Sequence, residues 1–360
     1  MQFIVNFPLN ITSIGQVSFN ILYEFYKMGL NPCIFNEDPG FKASVDTYTA
    51  DHGFYNWLNL NMESAPRRYN RKMPTIKCFH VMQSLKTYSD KQILLTFHEV
   101  DQLTETEANV LKNSIPCVTT KDSQSLFASH GISTELVPLG FDSNNFARTN
   151  KTYFGDGRIT FNIAGKFEKR KHHEKTIQAW IKKFGNDKRY SLQCSLFNPF
   201  ISEEDSKKNF IRTIGGKNVF NVSFLPWMQK NSIYNDYLNS ADIIIGMSGA
   251  EGWGLPEFQS VAMGKHAVIL NSSGYKEWAN SKNATIVNPC GKIEIYDGLF
   301  FRKGAPFNQG SIYDFNESEF ISACEAAIAK VEQNKVNEEG LKLQDQFKYS
   351  TTANKLLSLL

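Results

Sequence analysis

Residues 248–278 read SGAEGWGLPEFQSVAMGKHAVILNSSGYKEW. Just upstream, residues 243–245 are three isoleucines, the composition of a buried strand. Downstream, residues 255–263 have helical spacing and residues 267–270 are apolar again. Strand, glycine-rich turn, helix and strand are therefore expected in succession. The turn surrounds one carboxylate, Glu251, with Gly252 and Gly254. A helix beginning directly after such a turn has backbone N–H groups without intrahelical partners and turns its positive dipole end outward, a natural seat for phosphate.

The same alternation extends outward. Toward the N-terminus lie a strand at 159–163, Gly165, a helix through Ile177 and Trp180, strands at 191–196 and 219–224, and a helix at 233–238. Residues 150–157, NKTYFGDG, have the composition of a linker. Before them, an apolar strand at 3–7 leads through a polar loop containing Gly15 into a helical pattern of Phe19, Leu22, Phe25 and Tyr26 that stops at Gly29. Runs at 32–35, 93–97, 116–119 and 134–138 alternate with helical stretches such as 105–112. This β/α alternation predicts mostly parallel sheets covered by helices, in two similar halves. The domains are expected at 1–147 and 158–340. Residues 298–314 read as irregular, and 317–333 as an amphipathic helix.

A chain of 360 residues, 41% hydrophobic and 13% aromatic, suits two ordinary globular cores and not a disordered or fibrous protein. The net charge of +3 is too small to announce a polyanionic partner, although the split, about −2 over residues 1–150 and about +5 beyond, suits a second half that holds an anion. Six scattered cysteines lack zinc-ligand or redox spacing and are expected to be reduced and mostly buried. The opening MQFIVNFPLN lacks the pattern of a secretory leader, and no apolar run reaches membrane-spanning length, so a cytoplasmic location with at most peripheral membrane contact is expected.

The 248–278 stretch resembles glycosyltransferase family 4, whose members have the GT-B fold and read P-S-x-x-E-G-F-G-L-P, a second glutamate eight residues after the first, A-x-G, and a G-G-x-x-E turn. Ser248, Glu251, Gly252, Gly254, Leu255, Pro256, Gly264, Gly274 and Glu277 fit that pattern. Three further stretches match in order. Gly15 stands at the N-terminal glycine loop. VPLGFDSNNF matches the turn before the interdomain linker through Val137, Pro138, Gly140, Asp142 and Phe146. AGKFEKRK (164–171) matches G-R-x(4)-K with Lys166 in place of the arginine. The terminal FKYSTTANKLLSLL is similar to the family's closing helix, so residues 341–360 are expected to cross back onto the first domain.

The resemblance implies two facing Rossmann-like domains with the donor, a nucleoside diphosphate sugar, in the cleft between them, no further cofactor, and retention of anomeric configuration. Glu251 would contact the transferred sugar. Backbone near Gly252, Trp253, Gly254 and Leu255 would hold the diphosphate with Lys166 and Lys171, and Gly15 would allow close approach of the ligand. Gln259 stands where the family has the ribose-binding glutamate; a neutral amide still accepts a hydrogen bond from a ribose hydroxyl, more weakly. His98, after an apolar strand, occupies the position of a family histidine near the donor sugar, against the ordinary reading of a lone histidine as structural.

Sugar transfer from a diphosphate needs its leaving group stabilised by a metal or by cations and dipoles. With no D-x-D triplet and with Lys166 and Lys171 following a strand and glycine turn, a metal-independent reaction is expected. Arg67, Arg68, Arg71, Lys72 and Lys77 form a basic run with Tyr69 and Met73. They read either as a solvated loop or as an acceptor patch for DNA, anionic lipid or a charged glycan. The acceptor is expected to be a glycan or lipid-linked saccharide. A phage-type DNA glycosyltransferase and an inactive nucleotide-sugar-binding protein remain as alternatives.

Overall fold

The computed structural model describes residues 2–37, 48 and 50–360. In the first half, β1 (Ile4–Phe7), α1 (Ser13–Lys27), β2 (Cys33–Asn36), α2 (His52–Arg68) and β3 (Thr75–Cys78) come first. They are followed by β4 (Gln92–Thr96), α3 (Glu105–Leu111), β5 (Ile115–Val118), α4 (Lys121–Ser129) and β6 (Glu135–Leu136). The strands form one parallel sheet in the order β2-β1-β3-β4-β5-β6. They are short, and β1, β3 and β4 are buried on both faces, as expected for parallel strands under helices.

The second half contains β7 (Ile159–Gly165), α5 (His173–Phe184), β8 (Tyr190–Leu196), α6 (Glu203–Ile214), β9 (Val222–Phe224) and α7 (Asn231–Asn239). Then come β10 (Ile243–Gly246), α8 (Leu255–Ala262), β11 (His266–Leu270) and β12 (Thr285–Val287). These six strands form a second parallel sheet, β12-β11-β10-β7-β8-β9. Thus the two sheets are separated in sequence by residues 137–158.

A hairpin of β13 (Pro289–Glu294) and β14 (Ser311–Phe315) interrupts the α/β alternation before α9 (Glu317–Gln333). The chain ends with α10 (Glu338–Leu341), α11 (Leu343–Gln346) and α12 (Tyr349–Leu357). α10 and α11 pack on α8, whereas α12 packs on α1. The return to the first half is tied by Phe141 N–H donating to Phe347 O at 2.9 Å and Thr352 Oγ1 donating to Pro138 O at 2.7 Å. Consequently one apolar cluster runs from Phe3, Phe7 and Phe25 through Tyr349 and Leu356 to Trp253 and Phe258. A second fills the other face of the second sheet around Trp180 and Phe161.

In each sheet the first strand has successors on both sides, so chain connections diverge from the junctions β1/β3 and β7/β10. Open parallel sheets bind ligands outside the carboxyl ends of strands at such switch points. The segments that emerge at β7/β10 are Lys166–Lys171 and Ser248–Gly254, the two motifs singled out in the sequence. Among the described residues, no helix is long and apolar enough to cross a membrane.

Candidate active site

β7 ends at Gly165, whose φ of 124° an L side chain rarely adopts. The chain then turns through a 3-10 helix, Lys169–Lys171, and His172 at φ 52° before α5 begins. This tight path folds Lys171 beneath Gly165, where an added Cβ would lie 3.4 Å from the lysine stem. The glycine-rich turn after β10 is sewn to the same segment: Gly249 N–H donates to Arg170 O at 2.8 Å, and Arg170 Nη1 donates to Ala250 O at 2.7 Å.

The charges between the halves are nearly balanced. Lys171 pairs with Glu251 inside the protein. Arg170 meets Glu251 at 3.1 Å, Glu168 at 2.9 Å and, across the seam from the first half, Glu99 at 3.0 Å. Lys166 pairs with Glu168 at 2.7 Å, its ammonium lying over the rings of Phe200 and Phe300. Burial by itself would raise the Glu251 pKa, but Lys171 and Arg170 hold it down to about 2. Burial would lower Arg170, yet Glu99, Glu251 and Glu168 drive it above its ordinary value. For Glu99, burial wins and the pKa is raised despite Arg170. Three cations and three carboxylates thus occupy one seam, and an incoming anion would displace carboxylates from cations that are already in place.

Above this cluster, no side chain caps α8, which starts directly after Gly254. Gly254 has φ 81° and lies so close to the Tyr275 ring that a Cβ has no room. Gly252 faces Phe97 of the first half, 2.9 Å from where its Cβ would be, and its carbonyl accepts from Thr119 Oγ1 at 2.6 Å. The turn therefore forms part of the seam between the halves.

The remaining candidates are placed differently. Trp253 is 2% exposed and packs edge-on against Phe258 and Phe347, so it belongs to the core that the returning C-terminal segment completes. Gln259 is equally buried. Its Oε1 accepts from Asp142 N–H at 3.3 Å, which directs it at the interdomain turn and not at open cleft. Gly15 lies within α1, and its close approach is to Asn10 of its own turn. His98 is packed against Phe127 with Nε2 3.1 Å from Gln102 O, and burial lowers its pKa, leaving a neutral ring inside the first half. Leu255 opens α8, partly buried.

The basic run does not reach the cleft. Arg67, Arg68, Arg71 and Lys72 sit at the C-terminal end of α2 and the turn into β3, beside the starting ends of the strands and opposite the ligand edge. Arg68 donates to Asn31 O, Pro32 O and Asn61, and Arg71 pairs with Asp90. Lys77 is buried in β3 between Asn6 and Glu37.

Four site residues were not singled out from sequence. Arg170 and Glu168 belong to AGKFEKRK and look like any solvated charge run; only folding buries them. Glu99 adjoins His98 and points the opposite way, into the seam. His80 follows β3 and is exposed, and the nearby Lys166 and Arg170 charges disfavour its protonated form. The hairpin adds a wall. Lys292 pairs with Asp101 at 2.8 Å, Ser311 N–H donates to Asp101 at 2.7 Å, and Thr104 Oγ1 donates to Pro306 O at 2.7 Å. Val100, Ala250, Ile295, Phe301 and Ile312 form a small apolar cluster beneath it.

No family model matches the chain, and no curated protein sequence does. Solved structures match along its whole length. Sucrose-phosphate synthase from Thermosynechococcus elongatus has a TM-score of 0.70 at 11% identity, covering 100% of this chain and 98% of its own. A glycosyltransferase from Rickettsia africae has 0.68 at 13%, covering 99% and 97%. HepE from Anabaena, in complex with UDP-glucose, has 0.65 at 12%, covering 100% of both chains. The protein has the GT-B fold of these glycosyltransferases.

Proposed function

We propose that the protein is a retaining, metal-independent glycosyltransferase that takes a sugar from a nucleoside diphosphate sugar and delivers it to a hydroxyl of a glycan or lipid-linked saccharide. The observation that carries this reading is the convergence of Lys166, Arg170 and Lys171 beside the uncapped N-terminus of α8, at the switch point of the second sheet. The solved complex of HepE with UDP-glucose supports the donor class. As the diphosphate enters, Lys171 exchanges the Glu251 carboxylate for a phosphate oxygen, and Glu251 turns toward the sugar hydroxyls. The leaving diphosphate gains negative charge as the glycosidic bond breaks, and fixed cations with helix amides stabilise that charge without reorganisation.

Calorimetry with nucleoside diphosphate sugars tests the donor site, and donor consumption with excess EDTA tests the metal-free mechanism. Binding is expected for the intact chain, with transfer retained in EDTA. Lys171→Met should lose about 2–4 kcal/mol of transition-state stabilisation. Undiminished turnover by that variant would overturn the site, and strict dependence on manganese or magnesium would overturn the mechanism.

A further inference from the structure

Behind the glycine-rich turn the second half encloses a cavity of about 10 Å³, with Lys171, His173, Thr176, Ser248, Glu257 and Tyr275 as its polar wall. A space of about this size holds one water when two to four polar groups reach it. Among the described residues, His173 Nδ1 and Thr176 Oγ1 of that wall are buried without a hydrogen-bond partner, and the Glu257 carboxyl faces the Tyr275 hydroxyl beside them. Each such orphan is costly if left unmet. Their convergence on one void marks a site for an ordered water. Glu257 stands in the first turn of α8, with Oε2 3.3 Å from the place a Cβ on Gly254 would take. Its carboxyl therefore shares the helix N-terminus with any anion that seats there.

We propose that Glu257 is a proton-linked positioning residue. Through the cavity water it competes with Glu251 for Lys171 while the cleft is empty, and it takes up one proton from solvent as an anionic diphosphate settles at the N-terminus of α8. The proposal rests on the donor site proposed above. In the linked step an O–H bond forms on the Glu257 carboxylate and no other covalent bond changes.

The groups facing Glu257 favour this assignment. Lys171 and Glu251 approach from the turns after β7 and β10, and Tyr275 from the 3-10 helix Ser273–Glu277. Tyr234 and Tyr237 of α7 feel its charge, and His173 of α5 lines the same cavity. β7 and β10 present Ile163, Ile245 and Gly246 to this region, β11 presents Ile269, and α10 and α11 meet the far end of α8 through Gly340 and Gln344. Burial raises Glu257 to about 7, with Glu251 adding to the rise and Lys171 opposing it. Burial keeps His173 neutral and the Tyr275 phenol protonated. Near neutral pH, Glu257 is thus the group in this wall that changes state. A diphosphate raises its proton affinity both by its own charge and by drawing Lys171 away. Protonation and donor binding are then reciprocally linked.

The test is titration calorimetry of UDP-glucose, whose diphosphate does not itself titrate near neutrality, in buffers of different ionisation enthalpy. The wild type is expected to take up a large fraction of one proton per ligand near pH 7.5, and its affinity should fall with rising pH toward tenfold per unit. Glu257→Gln should bind with no proton uptake and a flat profile. Tyr275→Phe keeps the carboxyl and should retain uptake with a shifted midpoint, a readout that stands if the Gln variant fails to fold. Binding by the wild type without proton exchange, or uptake persisting in Glu257→Gln, overturns this proposal and leaves the donor site intact. Absence of binding by UDP-glucose and by the other nucleoside diphosphate sugars at millimolar concentration overturns both.

Discussion

Gln259 has surroundings that its place in the motif does not describe. Its position in the resemblance assigns it to a ribose, but α8 turns it toward the segment that joins the halves, where it accepts from Asp142 N–H. Asp142 is itself fully buried and accepts from Gln16 Nε2 at 2.6 Å and Asn145 Nδ2 at 2.8 Å. Gln259→Glu would place a second carboxylate in that enclosed spot. It is expected to lower stability by about 3 kcal/mol, the scale of an uncompensated buried charge, without tightening nucleotide binding. Chemical denaturation and calorimetry check this; unchanged stability with tighter binding would mean that the side chain reaches the ribose.

Local sequence states what a side chain is and leaves open which way it points. His98 and Glu99 are neighbours, yet one packs inside the first half and the other reaches Arg170 across the seam. Glu251 stood out in the sequence through its place in the glycine-rich turn and the resemblance, and it lies in the buried charge cluster. Arg170, inside a run of charges, did not stand out.

At the scale of elements, the α/β core followed from apolar periodicity, with 317–333 matching α9 residue for residue. The hairpin did not. β13 is largely exposed and carries Gly291 and Lys292, so it shows no buried alternation, and much of the loop up to β14 packs against the first half, far away in sequence. Asp101 anchors this element through one exposed ion pair and one backbone N–H. Asp101→Ala is expected to cost about 1–2 kcal/mol, mostly from the lost backbone contact, since exposed pairs contribute little. Faster hydrogen exchange over 292–311 should accompany it. An exchange pattern identical to the wild type would show that the apolar cluster around Phe301 alone holds the hairpin.

At the scale of the molecule, the basic run at 67–72 lies at the end of the first sheet opposite the switch points. Arg68 and Arg71 are committed to protein partners, leaving Arg67 and Lys72 exposed. Arg67→Ala with Lys72→Ala should leave transfer to a saccharide acceptor unchanged. Fluorescence anisotropy with duplex DNA should show no salt-dependent micromolar binding that these substitutions abolish. Such binding, with a slope falling by nearly two units in the double variant, would restore DNA as the acceptor.

The sequence by itself determined the α/β architecture, the two halves and the glycine-rich turn that opens α8, because periodicity, glycine and helix ends act within a few residues. Tertiary structure alone decided which charges meet. Arg170 faces carboxylates from positions 99, 168 and 251, and Trp253 and Gln259 turn into the core. Only the packed chain brings residues so far apart within hydrogen-bonding distance, and only burial makes the meeting matter, by stripping away the water that would otherwise screen it.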